Sequence, residues 1–307
     1  MRHAFVQALL QISERDESIV LLTGDLGYTV LEPFAERFPD RFFNVGVAEQ
    51  NMMGLATGLA LSGCKPYVYS IATFASMRPY EFLRNGPVLH ELPVRLVGVG
   101  GGLDYGHNGA THHALEDIGL MRLQPGLAVV APADPAQARN AVLATAEWPG
   151  PVYLRIGKDG DDIAGLGGRF ELGRAQLLGS GTDVAIVTYG SITAEAIRAA
   201  SLLEAAGVGT TIAVAASITP APLDDLADLL DRVHLAVTLE AHYPSGGIGS
   251  LVCEMVAELG LRCRVVRAGV TTITRGTSGG RSYLYDKYRL SGDHVAETAL
   301  AALGRVR

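Results

Sequence analysis

The sequence predicts an α/β protein built from two doubly wound domains, each a mostly parallel sheet covered by helices. Short apolar runs rich in Val, Ile and Leu alternate with amphipathic helical stretches, as expected for sheets buried on both faces. That rhythm breaks once, between 157 and 182, where GKDGDDIAGLGGRFELGRAQLLGSGT is rich in Gly and Asp and weakly periodic. A chain of 307 residues is long enough for two ordinary domains, each with its own core. The expected division is a first domain over 1–158, a linker over 159–180 and a second domain over 181–307.

Residues 2–13 place Ala4, Phe5, Ala8, Leu9 and Ile12 at helical spacing, and SIVLLTGD (18–25) reads as a buried strand ending in a turn. Helix EPFAERF, a short strand around FFNVGV, an apolar helix over 49–62, strand KPYVYSI, a helix over 77–90 and strand VRLVGVG follow. After a polar loop comes strand LAVVAPA. Beyond the linker, VAIVTYGS, a helix over 191–206, TTIAVAA, a helix over 222–231, LAVTLEA, a helix over 248–259, CRVVRAGV and a helix over 293–303 repeat the alternation. The second domain is therefore expected to be doubly wound too.

Composition excludes several classes. Hydrophobic residues make up 48% and charged ones 19%, a balance that suits a compact protein with additional subunit-facing area, so an oligomer is expected. A net charge of -7 without a Lys/Arg run argues against nucleic acid or an acidic membrane as partner. No stretch approaches the roughly 20 apolar residues of a membrane span, and no leader pattern opens the chain. Cys64, Cys253 and Cys263 form no CxxC pair, which fits small buried residues in a reducing cytoplasm.

Three stretches could carry chemistry. In GVAEQNMMGLATGLA (46–60), Glu49 heads an otherwise small and greasy helix. It is either an acid complementing the helix dipole or a desolvated functional carboxyl, and position alone leaves both open. LVGVGGGLDYGHNGATHHALEDIG (96–119) runs from a strand into a polar loop with His107, Asn108, Thr111, His112 and His113, placed where α/β folds bind ligands. Its GVGGGL lacks the third glycine of a dinucleotide loop, and its histidines lack the partners of a metal site. In YSIATFASMRPYEFLRN (69–85), Phe74 and Arg78 could line a slot for a flat heterocycle, or else lie in the core and on the surface.

In this order and spacing the three stretches resemble the C-terminal half of transketolases and their relatives, the deoxyxylulose-phosphate synthases and the β subunits of 2-oxoacid dehydrogenases. The likeness covers essentially the whole chain. It implies that Glu49, in NVGVAEQNMMGLATGLA, bonds the aminopyrimidine nitrogen of thiamine diphosphate, and that Phe74 stacks on that ring with Arg78, Ile71 and Met77 beside it. NGATHHALED resembles the family's DGPTHQ-type loop, which puts His112 at the reacting carbons, and LTGDLGYT places Asp25 near the cofactor. Arg2 and Arg155 fall near phosphate-binding arginines of the family, with Lys158 close to the second; solvated surface positions remain the alternative for each. VTLEAHYPSGGIGSLVCEMV resembles the C-terminal signature, and Glu240 and His242 within it are assigned no chemistry.

The resemblance also exposes gaps. The GDG and NN motifs that hold the diphosphate and Mg²⁺ in full-length relatives are missing; KDGDD (158–162) is no substitute. The implied protein is half of an enzyme, the small subunit of a two-chain thiamine diphosphate-dependent transketolase, with the metal supplied by a separate N-terminal partner subunit. An α2β2 heterotetramer in the cytoplasm and sugar substrates are expected. Asn108 stands where transketolases usually have Asp, and Gly100, where a histidine is common, is expected to open space at the site. Those departures suit a modified sugar or a 2-oxoacid donor such as pyruvate. A second reading is therefore acyl transfer from a 2-oxoacid, and a third is a noncatalytic scaffold.

Overall fold

The computed structural model describes residues 1–272 and 276–305. Its first half runs α1 (Arg2–Ser13), β1 (Ile19–Thr23), α2 (Glu32–Arg37), β2 (Phe42–Asn44), α3 (Glu49–Leu61), β3 (Lys65–Ile71), α4 (Ala72–Met77) and α5 (Tyr80–Leu83). It continues through β4 (Arg95–Val99), α6 (Asp117–Arg122), β5 (Ala128–Val130), α7 (Pro135–Thr145) and β6 (Val152–Ile156). The second half runs β7 (Gln176–Gly179), β8 (Val184–Thr188), α8 (Thr193–Ala205), β9 (Thr210–Val214), β10 (Ser217–Thr219), α9 (Leu223–Arg232) and β11 (Leu235–Leu239). It ends with α10 (Ile248–Leu259), β12 (Arg264–Ala268), α11 (Arg281–Lys287) and α12 (Gly292–Ala302).

The first sheet has the order β10-β5-β6-β4-β3-β1-β2 and the second β12-β11-β8-β9-β7. All pairings are parallel except β10 on β5 and β7 on β9. Strands β1, β4, β6, β8, β9 and β11 are buried along their whole length, which explains why they read as continuous apolar runs without alternation.

Several elements differ from the sequence reading. The single helix expected over 77–90 is α4, α5 and a π-helical turn at Arg84–Val88, because Pro79 and Pro87 each remove a backbone donor and break the ladder. Helix α7 has no counterpart in that reading, although Asp134 and Pro135 announce it: Asp134 Oδ1 accepts from the Gln137 N–H at 2.7 Å, and proline takes the first turn. Strand β7 lies inside the stretch read as linker and pairs with β9. Strand β10, from the second half, crosses over to close the edge of the first sheet beside β5.

The two sheets share core. One cluster joins Leu22, Met52, Val68, Ile118 and Met121 of the first half to Ala185, Val187, Ile248 and Val252 of the second. A buried polar seam accompanies it. Glu240 closes the start of α10, its Oε2 accepting from Ile248 N at 2.9 Å and its Oε1 from Gly249 N at 3.0 Å. His242 accepts from Gly119 N at Nε2 (3.1 Å), with Nδ1 2.6 Å from Tyr243 O. Gly247 packs directly on the Glu240 carboxylate, so a side chain there would displace the cap.

Candidate functional site

Because β2, β1, β3, β4 and β6 are parallel neighbours, the segments leaving their carboxyl ends gather along one edge of the first sheet, the usual ligand edge of such folds. Those segments carry Asp25, Glu49, Phe74, Arg78, His107, Asn108, His112 and Lys158, while Arg2 opens α1 and Arg155 lies within β6.

Glu49 opens α3 after a turn in which Gly46 takes φ 74°, and it is 2% exposed. Its carboxylate reaches sideways, away from the helix end. Oε1 accepts from Ser70 Oγ at 3.1 Å, and Oε2 pairs with Arg78 Nη1 at 2.7 Å. Both carboxylate oxygens are therefore hydrogen-bonded, as burial of a polar group requires. Gly24 leaves room for it, since a Cβ at that position would lie 3.6 Å from Oε1 and 3.3 Å from Gly46 O.

Phe74 lies on α4, whose first residue follows Ile71 directly and whose last is the half-exposed Met77. The Arg78 guanidinium covers the Phe74 ring, with Cζ 4.0 Å from the centroid. The His112 ring meets the same phenyl edge-on, centroids 5.1 Å apart. Thr111 Oγ1 lies 3.0 Å from His112 Nδ1. Val47, Ala48, Glu49, Gln50, Asn51 and Arg78 line a depression of about 650 Å³ next to this cluster.

A row of residues extends from His112. Tyr105 is 6.4 Å from it between ring centroids, and Lys158 Nζ sits 5.3 Å from the Tyr105 centroid. Arg2 Nε donates to Lys158 O at 2.9 Å, and its Nη2 lies 3.3 Å from Asp159 Oδ1. Arg2 and Lys158 therefore stand together. His107 and Asn108 are exposed on a 3₁₀ turn, with His107 Nε2 near Gly280 of the second half.

Asp25 is exposed at φ 56°. Its Oδ1 accepts from Asn44 Nδ2 at 3.0 Å and from Tyr28 Oη at 2.7 Å, and these bonds hold its carboxyl below the ordinary range. Asn44 Oδ1 also accepts from Asp25 N and Gly46 N, tying the loop after β1 to the turn before Glu49.

Two expectations are corrected. Arg155 does not reach the site surface: its side chain is 5% exposed, Nε donates to Asp117 Oδ2 at 2.7 Å, and Nη2 donates to Ala114 O and Ala241 O at 3.1 Å each. Burial opposes its charge, but Asp117 and the neighbouring tyrosines outweigh that and raise its pKa. Arg155 is a clamp between the halves. Gly100 opens no space either, because it takes φ 71° and the ring of Tyr105 fills the direction a side chain would need.

Ser70, Asn44, Tyr105 and Asp117 complete the arrangement and were not singled out from sequence. Ser70 is one residue before Ile71 on a strand, where an isolated serine carries no signal. Tyr105 stood inside the quoted loop, and the glycine at 100 was its only trace. Among the described residues, no group of three His, Cys, Asp or Glu side chains is placed to hold a metal ion. No helix among them is long and apolar enough to cross a membrane.

Fold and site together define an α/β protein of two doubly wound domains with a buried acid set beside an aromatic face at the sheet's ligand edge. Residues 1–160 match the transketolase pyrimidine binding domain and residues 173–295 the transketolase C-terminal domain, so the chain belongs to the transketolase family. It is 36% identical to a protein of Methanocaldococcus jannaschii described as a transketolase C-terminal section, over 97% of this chain and 94% of that one. It is 32% identical to one of the subunits of the apulose-4-phosphate transketolase of Phocaeicola vulgatus, over 97% and 96% of the two chains. A 6-deoxy-6-sulfo-D-fructose transketolase subunit of Clostridium sp. shares 34% identity over 97% and 93%. A solved split-gene transketolase, described as an inactive β4 tetramer, superposes with a TM-score of 0.90 at 37% identity, covering 100% of this chain and 99% of that one.

Proposed function

We propose that the chain is the small subunit of a two-chain, thiamine diphosphate-dependent transketolase that transfers a two-carbon ketol unit from a ketose or ketose phosphate donor to an aldose. The observation that carries this reading is that a buried carboxylate, Glu49, and the face of Phe74 meet the same guanidinium, Arg78, with His112 edge-on to that phenyl ring. The residues present fit an aminopyrimidine: a flat ring with a hydrogen-bonding edge needs one aromatic wall and one acid held off water, and this edge of the sheet supplies both. When bound, the cofactor supplies a carbanion nucleophile and an electron sink for the transferred unit.

This chain's own residues then have separate tasks. Glu49 holds and moves a proton at the pyrimidine nitrogen as a general acid/base, with Ser70 fixing its other oxygen. Phe74 stacks, and Ile71, Met77 and Arg78 border the ring. His112 offers Nε2 to oxygens that gain charge, and Asp25 orients the donor from the neighbouring loop. Arg2 and Lys158, side by side at the outer end of the row from His112, suit a substrate phosphate, while His107 and Asn108 meet its hydroxyls. Relatives named for apulose 4-phosphate and for 6-deoxy-6-sulfo-D-fructose favour a modified sugar over an ordinary pentose phosphate.

The partner subunit would supply the GDG and NN motifs, the diphosphate pocket and Mg²⁺, in an α2β2 assembly. Three free cysteines suit a reducing cytoplasm. The test is reconstitution with the polypeptide that copurifies. The pair should turn over ketose phosphate and the pure chain should not; strong activity of the pure chain would overturn the half-enzyme reading. Product analysis with pyruvate against ketose phosphate separates acyl from ketol transfer. Glu49→Gln in the assembled pair should lower kcat by at least about a hundredfold, the scale of general acid/base catalysis, and near-normal turnover would remove Glu49 from that role.

A further inference from the structure

We propose that Arg78 is a built-in stand-in for the pyrimidine ring, filling its place in the cofactor-free chain and turning outward to admit it. The inference rests on the reading of Glu49 and Phe74 as the ring's acid and wall. A guanidinium is flat, carries N–H donors along its edge and stacks on aromatic faces, so it offers much of what an aminopyrimidine offers. Here one guanidinium does both at once: Nη1 is 2.7 Å from Glu49 Oε2 while Cζ lies 4.0 Å from the Phe74 centroid. A ring stacked on Phe74 and bonded to Glu49 would need that same space.

The surroundings fit a latch. The Glu49 carboxylate is 1% exposed and its other oxygen is taken by Ser70, so water has little access to it and Arg78 is the cation that reaches it. Arg78 reaches in from the rim at the end of α4, with its side chain 43% exposed. The depression lined by Val47, Ala48, Gln50 and Asn51 gives its guanidinium room to withdraw into solvent. Partly exposed side chains turn over far faster than a cofactor docks, so the latch lowers the apparent association rate constant by the fraction of time it is open, without adding a lag. A latch closed nine-tenths of the time slows uptake about tenfold.

Two measurements test this. In the assembled two-chain complex with Mg²⁺, the association rate constant for thiamine diphosphate, followed by radiolabel uptake, should rise in Arg78→Gln and Arg78→Met by the inverse of the latch's open fraction, about tenfold for one closed nine-tenths of the time. An unchanged or lower constant in both variants, with cofactor still bound, overturns the proposal alone. No uptake by any form, wild type included, overturns the cofactor reading and the latch with it. In the free chain, ¹⁵N-arginine NMR should show, beside the restrained signals of buried arginines such as Arg95 and Arg155, a further restrained guanidinium signal that is absent from Arg78→Gln and collapses to the freely rotating position in Glu49→Gln. A signal unmoved by Glu49→Gln overturns the latch as well.

Discussion

Asp117→Asn probes the clamp that joins the two halves behind the site. Asp117 is 1% exposed, and its Oδ2 accepts from Tyr153 Oη at 2.8 Å and from Arg155 Nε at 2.7 Å. The substitution leaves Arg155 charged, 5% exposed and without a counterion. Removing one partner of a buried ion pair costs about 3–5 kcal/mol, and the low end applies because Arg155 keeps two carbonyl acceptors, Ala114 O and Ala241 O. A loss of about 3 kcal/mol in a chain of this size lowers Tm by about 5 °C. Scanning calorimetry of the purified chain measures it. The double variant Asp117→Leu/Arg155→Met, measured with the singles Asp117→Leu and Arg155→Met, should lose less than their sum, since neither charge is left buried alone, giving a coupling of about 2 kcal/mol in that cycle. A fall under about 1 kcal/mol for Asp117→Asn, or a double variant as unstable as the summed singles, would refute this account of the seam.

Two other perturbations follow from the loops. Gly100→Ala should destabilise by about 2 kcal/mol or more, from a left-handed backbone and displacement of the Tyr105 ring, and a urea midpoint equal to wild type would contradict the packing. Burial holds the His113 imidazole below its ordinary value of 6.5. The unfolded chain then takes up a proton before the folded one does, so the His113 contribution is complete above that value and is lost as pH falls below it. Tm measured from pH 7 to pH 5 should fall less steeply in His113→Gln, and parallel profiles would count against this.

The grouping of Glu49, Phe74 and His112 in space was legible from the order and spacing of their three stretches, whereas each alone had an ordinary reading. What sequence left open for Glu49 was the direction of its side chain, and only β3 and α4 settle that, through Ser70 and Arg78. Arg155 misled because a resemblance in position says nothing of a side chain's partners. Its setting in VYLRI, a strand buried throughout, was the available hint of a buried arginine. Gly100 misled for a related reason: the group filling its space is five residues ahead and folds back. The start of α7 was written in Asp134 and Pro135, but β10 could not be read, since three residues pair with a strand nearly ninety positions earlier.

That crossing strand bears on where such a polypeptide can be divided. A cut anywhere in 157–175 would separate the first six strands from the segment that closes their sheet beside β5. The amino-terminal piece would then present an unpaired apolar edge, the kind of surface that templates aggregation. Pairing across the boundary thus makes the first sheet depend on a segment of the second half for its closed edge.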